Sequence, residues 1–355
     1  MNYPPYTITS TALKLVAAIS EQLATLSATG ALTVESLSPQ LRRENRIRTI
    51  HASLAIENNS LSLEQVTDII DGKPVIAPPR DIQEVRGAVA AYEKLDAWTP
   101  HSMQDLLAAH ALLMHDLVDN PGKLRTGGVG VFQGNKVVHM APPANLVHGH
   151  LEKLLQWLES TDEHPLITSC VFHYEFEFIH PFDDGNGRMG RLWQTLILSK
   201  WKPVLAYMPV ETIVCNRQND YYTSLGQADA QGEATKFIEY MLMVLHGAIN
   251  SAMAKIYETD FESDYAAKAA NGVWQPATAT TTTTATTTTT ATTLVDTEEN
   301  ILAAIRHNPK ITLKELADAL DMTKDGVRYH TNNLKNKGLL HRVGTYKGHW
   351  KIVQE

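Results

Sequence analysis

His180-Pro-Phe-Asp-Asp184-Gly-Asn-Gly-Arg188-Met-Gly-Arg191 joins two apolar stretches, and its reading fixes what those stretches must be. Upstream runs His164-Pro-Leu-Ile-Thr-Ser-Cys-Val-Phe-His-Tyr-Glu-Phe-Glu-Phe-Ile179, with Leu166, Cys170, Tyr174 and Phe178 four residues apart. Pro165 stands where a first helical turn tolerates a missing N–H, so the spacing predicts a largely buried helix. Proline disfavours helical backbone at the residue before it, so this helix is expected to stop at His180, holding the imidazole at its carboxyl end. Gly185-Asn186-Gly187 can turn sharply and leave several N–H groups facing one anion. Arg188 to Ser199 is apolar enough to be the next helix, whose positive end would meet that anion. Arg188 and Arg191 are three apart on one helix face and can grip neighbouring phosphate groups with forked donors. Asp184 is placed to hold Mg²⁺ against the same oxygens, since a hard cation that keeps most of its waters needs only one or two protein carboxylates. A base, a metal carboxylate, an anion cradle and two arginines in one turn are the parts that moving a nucleotide phosphate requires.

Other readings explain less. Asp183-Asp184-Gly185-Asn186-Gly187 suggests a calcium loop, but the twelfth position from Asp183 is Gln194 where a bidentate Glu is needed. A plain surface turn accounts for Asp, Gly and Asn but not for His-Pro-Phe before them or the two spaced arginines after.

With these residues, the chain resembles the Fic family, whose motif His-Pro-Phe-x-Asp/Glu-Gly-Asn-Gly-Arg-x-x-Arg it matches at every fixed position, the resemblance extending from about Pro39 to Tyr240. The resemblance implies an all-α fold: a Fic-type helical catalytic domain with a small β-hairpin flap. It implies transfer of AMP from ATP to a hydroxyl side chain (Ser, Thr or Tyr) of a target protein, releasing pyrophosphate. His180 would be the general base and Asp184 the Mg²⁺ ligand. Asn186 and the amides of Gly185 and Gly187 would cradle the α-phosphate, with Arg188 and Arg191 on the β- and γ-phosphates. Met189 and Gly190 fall inside the same nucleotide-binding stretch, and Phe182 would anchor the loop in the core.

Upstream, Ser53 and Glu57 are four apart on one helical face, and Asn58 and Asn59 suit the end of that helix. Ser62-Leu-Glu-Gln65 reads as a capping box opening the next helix, which closes near Gly72. Alone, Ser-x-x-x-Glu-Asn is commonplace. Beside the motif it is similar to the inhibitory helix of Fic enzymes, which implies that Glu57 pairs with Arg191 and withholds it from the γ-phosphate, with Ser53 and Asn58 as the rest of the regulatory element. In some family members this glutamate helps position a water that removes AMP, so a de-AMPylating or bifunctional enzyme is the alternative direction.

Lys123 to Pro143 carries β-branched residues around a Gly-Asn turn and reads as a hairpin. In the family this is the flap, and Val129, Gly130, Val131 and Phe132 would lay an edge against an extended target segment. Tyr221 and Tyr222 resemble the paired tyrosines that flank adenine. Seven residues on, where an ATP-contacting asparagine often stands, this chain has Asp229.

Composition bounds the remainder. A chain of 355 residues supports two or three domains. Two cysteines, Cys170 and Cys215, both in apolar surroundings, argue against a disulfide framework and suit a cytoplasmic protein, as does the lack of a signal-like start or a membrane-length apolar run. A formal net charge of −8 gives no global nucleic-acid footprint. The expected organisation is an N-terminal helical region with the inhibitory motif (1–100), a Fic catalytic domain (101–260), a Thr-rich linker (261–294) and a winged helix-turn-helix domain (295–355). Helices are expected over Thr9–Ser27, Pro39–Asn58, Leu63–Ile70, Asp81–Leu95, Ser102–Val118 and Ala144–Leu158, with two more between Asp220 and Ile256. In the last domain helices are expected over Glu298–Arg306, Thr312–Leu320 and Lys324–Gly338 and a hairpin wing over Leu339–Val353, with Lys324, Arg328, His330 and Asn333 candidate DNA contacts of the third helix and Arg342 and Lys347 those of the wing. Its basic and acidic residues nearly balance, which leaves DNA binding and protein docking both open. ATP and Mg²⁺ are the expected small-molecule partners, a hydroxyl-bearing protein, a copy of this chain included, the expected target, and a homodimer an open alternative.

Overall fold

In the computed structural model the described residues are 3–28, 37–133, 136–270 and, beyond them, 301–302, 304–306, 308–309, 311–320, 327, 331, 334, 340–343 and 349–352. The chain divides into two compact units, Met1–Gln275 and Pro276–Glu355.

In the first unit the helices are α1 (Ser10–Ala28), α2 (Pro39–Ile56), α3 (Leu63–Ile70), α4 (Pro79–Glu93), α5 (Met103–Leu113), α6 (Ala144–Ser160), α7 (Pro165–Ile179), α8 (Asn186–Trp201), α9 (Val210–Asn216), α10 (Gln218–Gln231) and α11 (Thr235–Ala270). Two antiparallel strands, β1 (Gly130–Gln133) and β2 (Lys136–Met140), form the hairpin, with Gly130 opposite Met140 and a register shift between Val131 and Phe132. α7 is the central post. Leu166, Ile167, Cys170, Val171 and Tyr174 pack on one side with α1 and α11, through Leu23 and Phe237. Phe172, Phe176 and Ile179 pack on the other with α4, α5, α6 and α8, through Val85, Leu106, Leu154 and Leu192. A helix apolar on all sides must lie inside a core, and this one carries the motif on its end.

Local chemistry accounts for most boundaries. Ser38 caps α2 by accepting from Leu41 N, and the Ser62–Gln65 capping box forms with both hydrogen bonds. Asn58 closes α2 with φ 67° and Gly72 follows α3 with φ 72°, left-handed geometries that Asn and Gly tolerate. α10 and α11 part at Gly232, φ 66°. One expected helix is too long: α5 ends at Leu113, not Val118. Met114 turns inward, fully buried, and Asp116 goes left-handed, bending the chain under the motif loop. α9 has no counterpart among the expected helices.

In the second unit Thr312 and Glu315 form a capping box opening α12 (Leu313–Ala319), and β3 (Leu340–Val343) pairs antiparallel with β4 (His349–Ile352). Ile301, Ile305, Leu316, Val327, Leu334 and Trp350 make its core. The Thr-rich stretch lies outside the described residues.

Candidate active site

α7 delivers His180 and α8 delivers the cradle. His180 closes α7 in a left-handed conformation, φ 49° and ψ 63°, its N–H still bonded to Phe176 O. Its Nδ1 lies 3.3 Å from the carbonyl of Glu177. A carbonyl only accepts, so Nδ1 carries a proton, and the tautomer this contact selects for a neutral ring has its lone pair on Nε2. Phe182, fully buried, stacks on His110 with centroids 3.6 Å apart. Gly185 turns at φ 87°, and a Cβ there would come within 2.6 Å of Met114 Sδ, so conformation and space both demand glycine. Met189 is the first residue of α8 to bond back, to Gly185 O at 3.0 Å, leaving the amides of 186–188 pointing out of the helix end.

The side chains around this cradle are committed within the fold. Asn186 is buried and doubly bonded to Phe182, accepting from its N–H and donating to its carbonyl, both at 2.9 Å. Its amide therefore shapes the turn, and what Asn186 presents outward is backbone. Asp184 Oδ1 accepts from Gly185 N at 2.6 Å and Arg188 Nη2 at 3.0 Å, while Oδ2 accepts from Arg80 Nη2 at 3.1 Å. Arg188, buried, also pairs with Glu84 at 3.2 Å, and among the described residues its Nε finds no acceptor.

Arg191, 3% exposed, donates to Ser53 Oγ (3.1 Å), Ser53 O (3.0 Å) and Glu57 Oε1 (2.7 Å). Burial works against the charge, but the Glu57 carboxylate overrides it and holds the guanidinium above its ordinary pKa. Glu57 sits one residue past the end of α2, where a carboxylate opposes the helix dipole; the Arg191 pair offsets that. Gln218 Nε2 holds the same helix end through Ile56 O at 2.7 Å. Glu57 also overhangs the cradle: a Cβ added at Gly187 would collide with its Oε1. The structure thus places Ser53 and Glu57 against Arg191, with the Glu57 carboxylate over the amino-terminal end of α8, while Asn58 closes α2 through its backbone. Gly190 is equally crowded, a Cβ there falling 2.8 Å from Glu177 Oε1, and Met189 is wholly buried.

The tyrosines divide. Tyr221 is buried and its O–H donates to His173 Nε2 (3.1 Å), because His173 Nδ1 gives its proton to Gln194 Oε1 at 2.6 Å. Burial lowers the His173 pKa to about 3, so the ring stays neutral. Tyr222 is half-exposed, edge-on to Tyr221 at 5.3 Å, and burial with the nearby Glu57 raises its pKa. Asp229 accepts from Tyr174 O–H at 3.1 Å. Val129 and Gly130 stand at the root of the hairpin; of Val131 and Phe132 the backbone alone is described. Lys324, Arg328, His330, Asn333 and Lys347 lie outside the described residues, and Arg342 is described as backbone in β3.

Sequence reading missed His110 and Glu84. Gly122 N–H donates to His110 Nδ1 (2.8 Å), which forces Nε2–H toward Asp184 O (3.0 Å). Burial lowers the His110 pKa to about 4, keeping this neutral tautomer. Glu84 gathers Asn59, Arg80 and Arg188. A cleft beside the loop is lined by His110, Asp119, Asn120, Lys123, Asp183 and Asp184.

Residues 100–198 match the Fic/DOC family model and 294–340 a winged helix-turn-helix DNA-binding model. A Fic family protein of Desulfovibrio desulfuricans, known from its crystal structure, is 44% identical, with a TM-score of 0.69, the similarity covering 100% of this chain and 99% of that one. Fic-1 of Caenorhabditis elegans has the same fold at 22% identity, TM-score 0.57, over 70% and 72% of the two chains. Curated relatives include the protein adenylyltransferases fic-1 of Caenorhabditis briggsae (34% identical over 57% of this chain) and Fic of Nematostella vectensis (27% over 60%). The match spans 40% and 50% of the length of those two relatives.

Proposed function

The chain belongs to the Fic family, and from that premise we propose that it is a protein adenylyltransferase, moving AMP from ATP to a hydroxyl of a protein side chain. The observation that carries this reading is the convergence of His180, the outward amides of 186–188, Arg188 and Arg191 on the turn between α7 and α8. His180 Nε2 takes the hydroxyl proton as the oxygen bonds to the α-phosphorus. The bond from that phosphorus to the bridging oxygen breaks, and pyrophosphate leaves. The α8 amides cradle the α-phosphate, and Arg188 and Arg191 hold the β- and γ-phosphates. Charge spread over the phosphoryl oxygens makes these fixed donors the larger contribution, with the base adding about 10²–10⁴-fold. Asp184 suits Mg²⁺ through Oδ2, because the carboxylate is partly exposed at the cleft and that oxygen accepts from a surface arginine, while Gly185 N and Arg188 hold Oδ1. When bound, the cation would neutralise phosphate charge.

In the resting chain Glu57 holds Arg191 and overhangs the cradle, so the γ-phosphate is denied its arginine. The chain is therefore self-restrained. The hairpin would take the target segment by strand addition. The winged-helix match favours nucleic-acid reading by the second unit, which a salt-dependent DNA mobility shift would test.

Incubation with α-labelled or γ-labelled ATP tests the reaction. Label should enter protein from the α position only, and His180→Ala should keep ATP binding and lose that incorporation. Label from the γ position, or undiminished transfer by the variant, would overturn the reading.

A further inference from the structure

Arg125 is buried, lies 55 residues before His180, and spends its donors on the carboxyl end of α7 and the base of the hairpin. Its Nε donates to His180 O at 2.7 Å and its Nη2 to Ile179 O at 3.3 Å, while its backbone N–H donates to Pro181 O at 3.0 Å. Three successive carbonyls at the end of α7 thus accept from one residue. Such carbonyls are orphaned by helix geometry and carry the negative end of the helix dipole, so a buried cation is well placed there. The same guanidinium reaches across: Nη1 donates to Gly127 O at 2.8 Å and Nη2 to Pro142 O at 2.6 Å. Gly127 precedes β1 and Pro142 follows β2, and Ala141 N bonds Val129 O between them. One planar fork therefore fixes the two legs of the hairpin to the residue that carries the imidazole.

We infer that Arg125 is a positioning residue for the transfer, setting the distance and angle between the hairpin edge and His180; this rests on the reaction proposed above. It touches neither nucleotide nor reacting atoms, and acts through the backbone of His180 and of the hairpin legs. Lysine cannot replace it, because a single ammonium on a flexible stem cannot satisfy carbonyls on two sides in a fixed plane. A misplacement of about 1 Å in a near-attack geometry costs roughly 10²-fold in rate.

The test uses the full chain carrying Glu57→Gly, with Arg125→Lys added and Arg125→Ala as second variant. ATP affinity by calorimetry should stay within about twofold, because the α8 amides and arginines are untouched, while AMP incorporation at saturating ATP falls by roughly 10²-fold. The ring signals of His180 should move and amide exchange of the hairpin strands should quicken. Unchanged transfer, or an ATP affinity that falls in step with the rate, would overturn the inference, as would ring signals and hairpin exchange identical to the parent. If the Glu57→Gly parent itself incorporates no AMP, the transfer reading fails, and the ring and exchange measurements still decide whether Arg125 couples the hairpin to His180.

Discussion

Of the ion pairs through which the N-terminal helices touch the motif, two share one chemistry in opposite settings. From α2, Glu57 meets an Arg191 that is 3% exposed and held by Ser53 as well. From α4, Arg80 meets Asp184 with side chains 56% and 43% exposed. Removing Glu57, itself 30% exposed, strands the buried Arg191 at a cost of up to about 3–5 kcal/mol, whereas an exposed pair is worth about 0–1 kcal/mol. Geometry is similar, 2.7 Å against 3.1 Å, so burial decides. In the proposed function the first contact is a lock on Arg191, the arginine assigned there to the γ-phosphate. The second is exchangeable, and Arg80 can yield Asp184 to a cation at little cost.

The largest expected effect comes from breaking the lock. Glu57→Gly should raise AMP transfer at least about tenfold and lower the melting temperature of the ligand-free chain, since Arg191 is left buried without its carboxylate. Added ATP should then stabilise the variant more than the parent, because the nucleotide supplies the missing anion. Equal transfer and equal melting would erase the distinction between the two contacts.

Glu175 shows what a buried carboxylate does without an arginine. Burial, then the Asp229 carboxylate, push it up to about 7. Its folded pKa lies above the unfolded value, so the folded state favours the proton. That contribution is complete below about pH 4.5, declines as pH rises toward 7 and is gone beyond, a loss of up to roughly 3 kcal/mol. Glu175→Gln should therefore raise the melting temperature at pH 8 far more than at pH 5. A pH-independent difference would contradict this.

Ser53→Ala loosens the lock without opening it. Arg191 loses the acceptor for Nε but keeps Ser53 O and Glu57, so stability should fall by about 1–3 kcal/mol and transfer rise less than in Glu57→Gly. Arg80→Ala should do least: under about 1 kcal/mol in thermal stability, fading with salt, and a few-fold gain in Mg²⁺ affinity by titration calorimetry in the presence of ATP. A loss of Mg²⁺ affinity would put Arg80 among the residues that support the site.

What the sequence made legible was local. The helix stop at His180, the left-handed Asn58 and the Ser62–Gln65 box follow from residues within four positions of each other. The Glu57–Arg191 pair spans 134 residues and was expected only through the resemblance. Arg125, His110 and Glu84 escaped because the motif groups they hold, two backbone carbonyls and one side chain, are 55 to 104 positions away, and a lone Arg, His or Glu carries no periodic signal. Asn186 was expected to face the phosphate, yet its side chain satisfies Phe182 four residues back, a bond that only the loop's closure creates. The early end of α5 has the same origin: Met114 is drawn under Gly185 by packing, against a sequence that could have stayed helical.

The most direct measurement is a crystal structure of the Glu57→Gly chain with ATP and Mg²⁺. The γ-phosphate should lie within hydrogen-bond reach of Arg191 and the α-phosphate on the amides of 186–188, with His180 Nε2 facing the side from which a hydroxyl would attack. A triphosphate bound away from this turn, or lying reversed with its α-phosphate out of reach of His180, would contradict it.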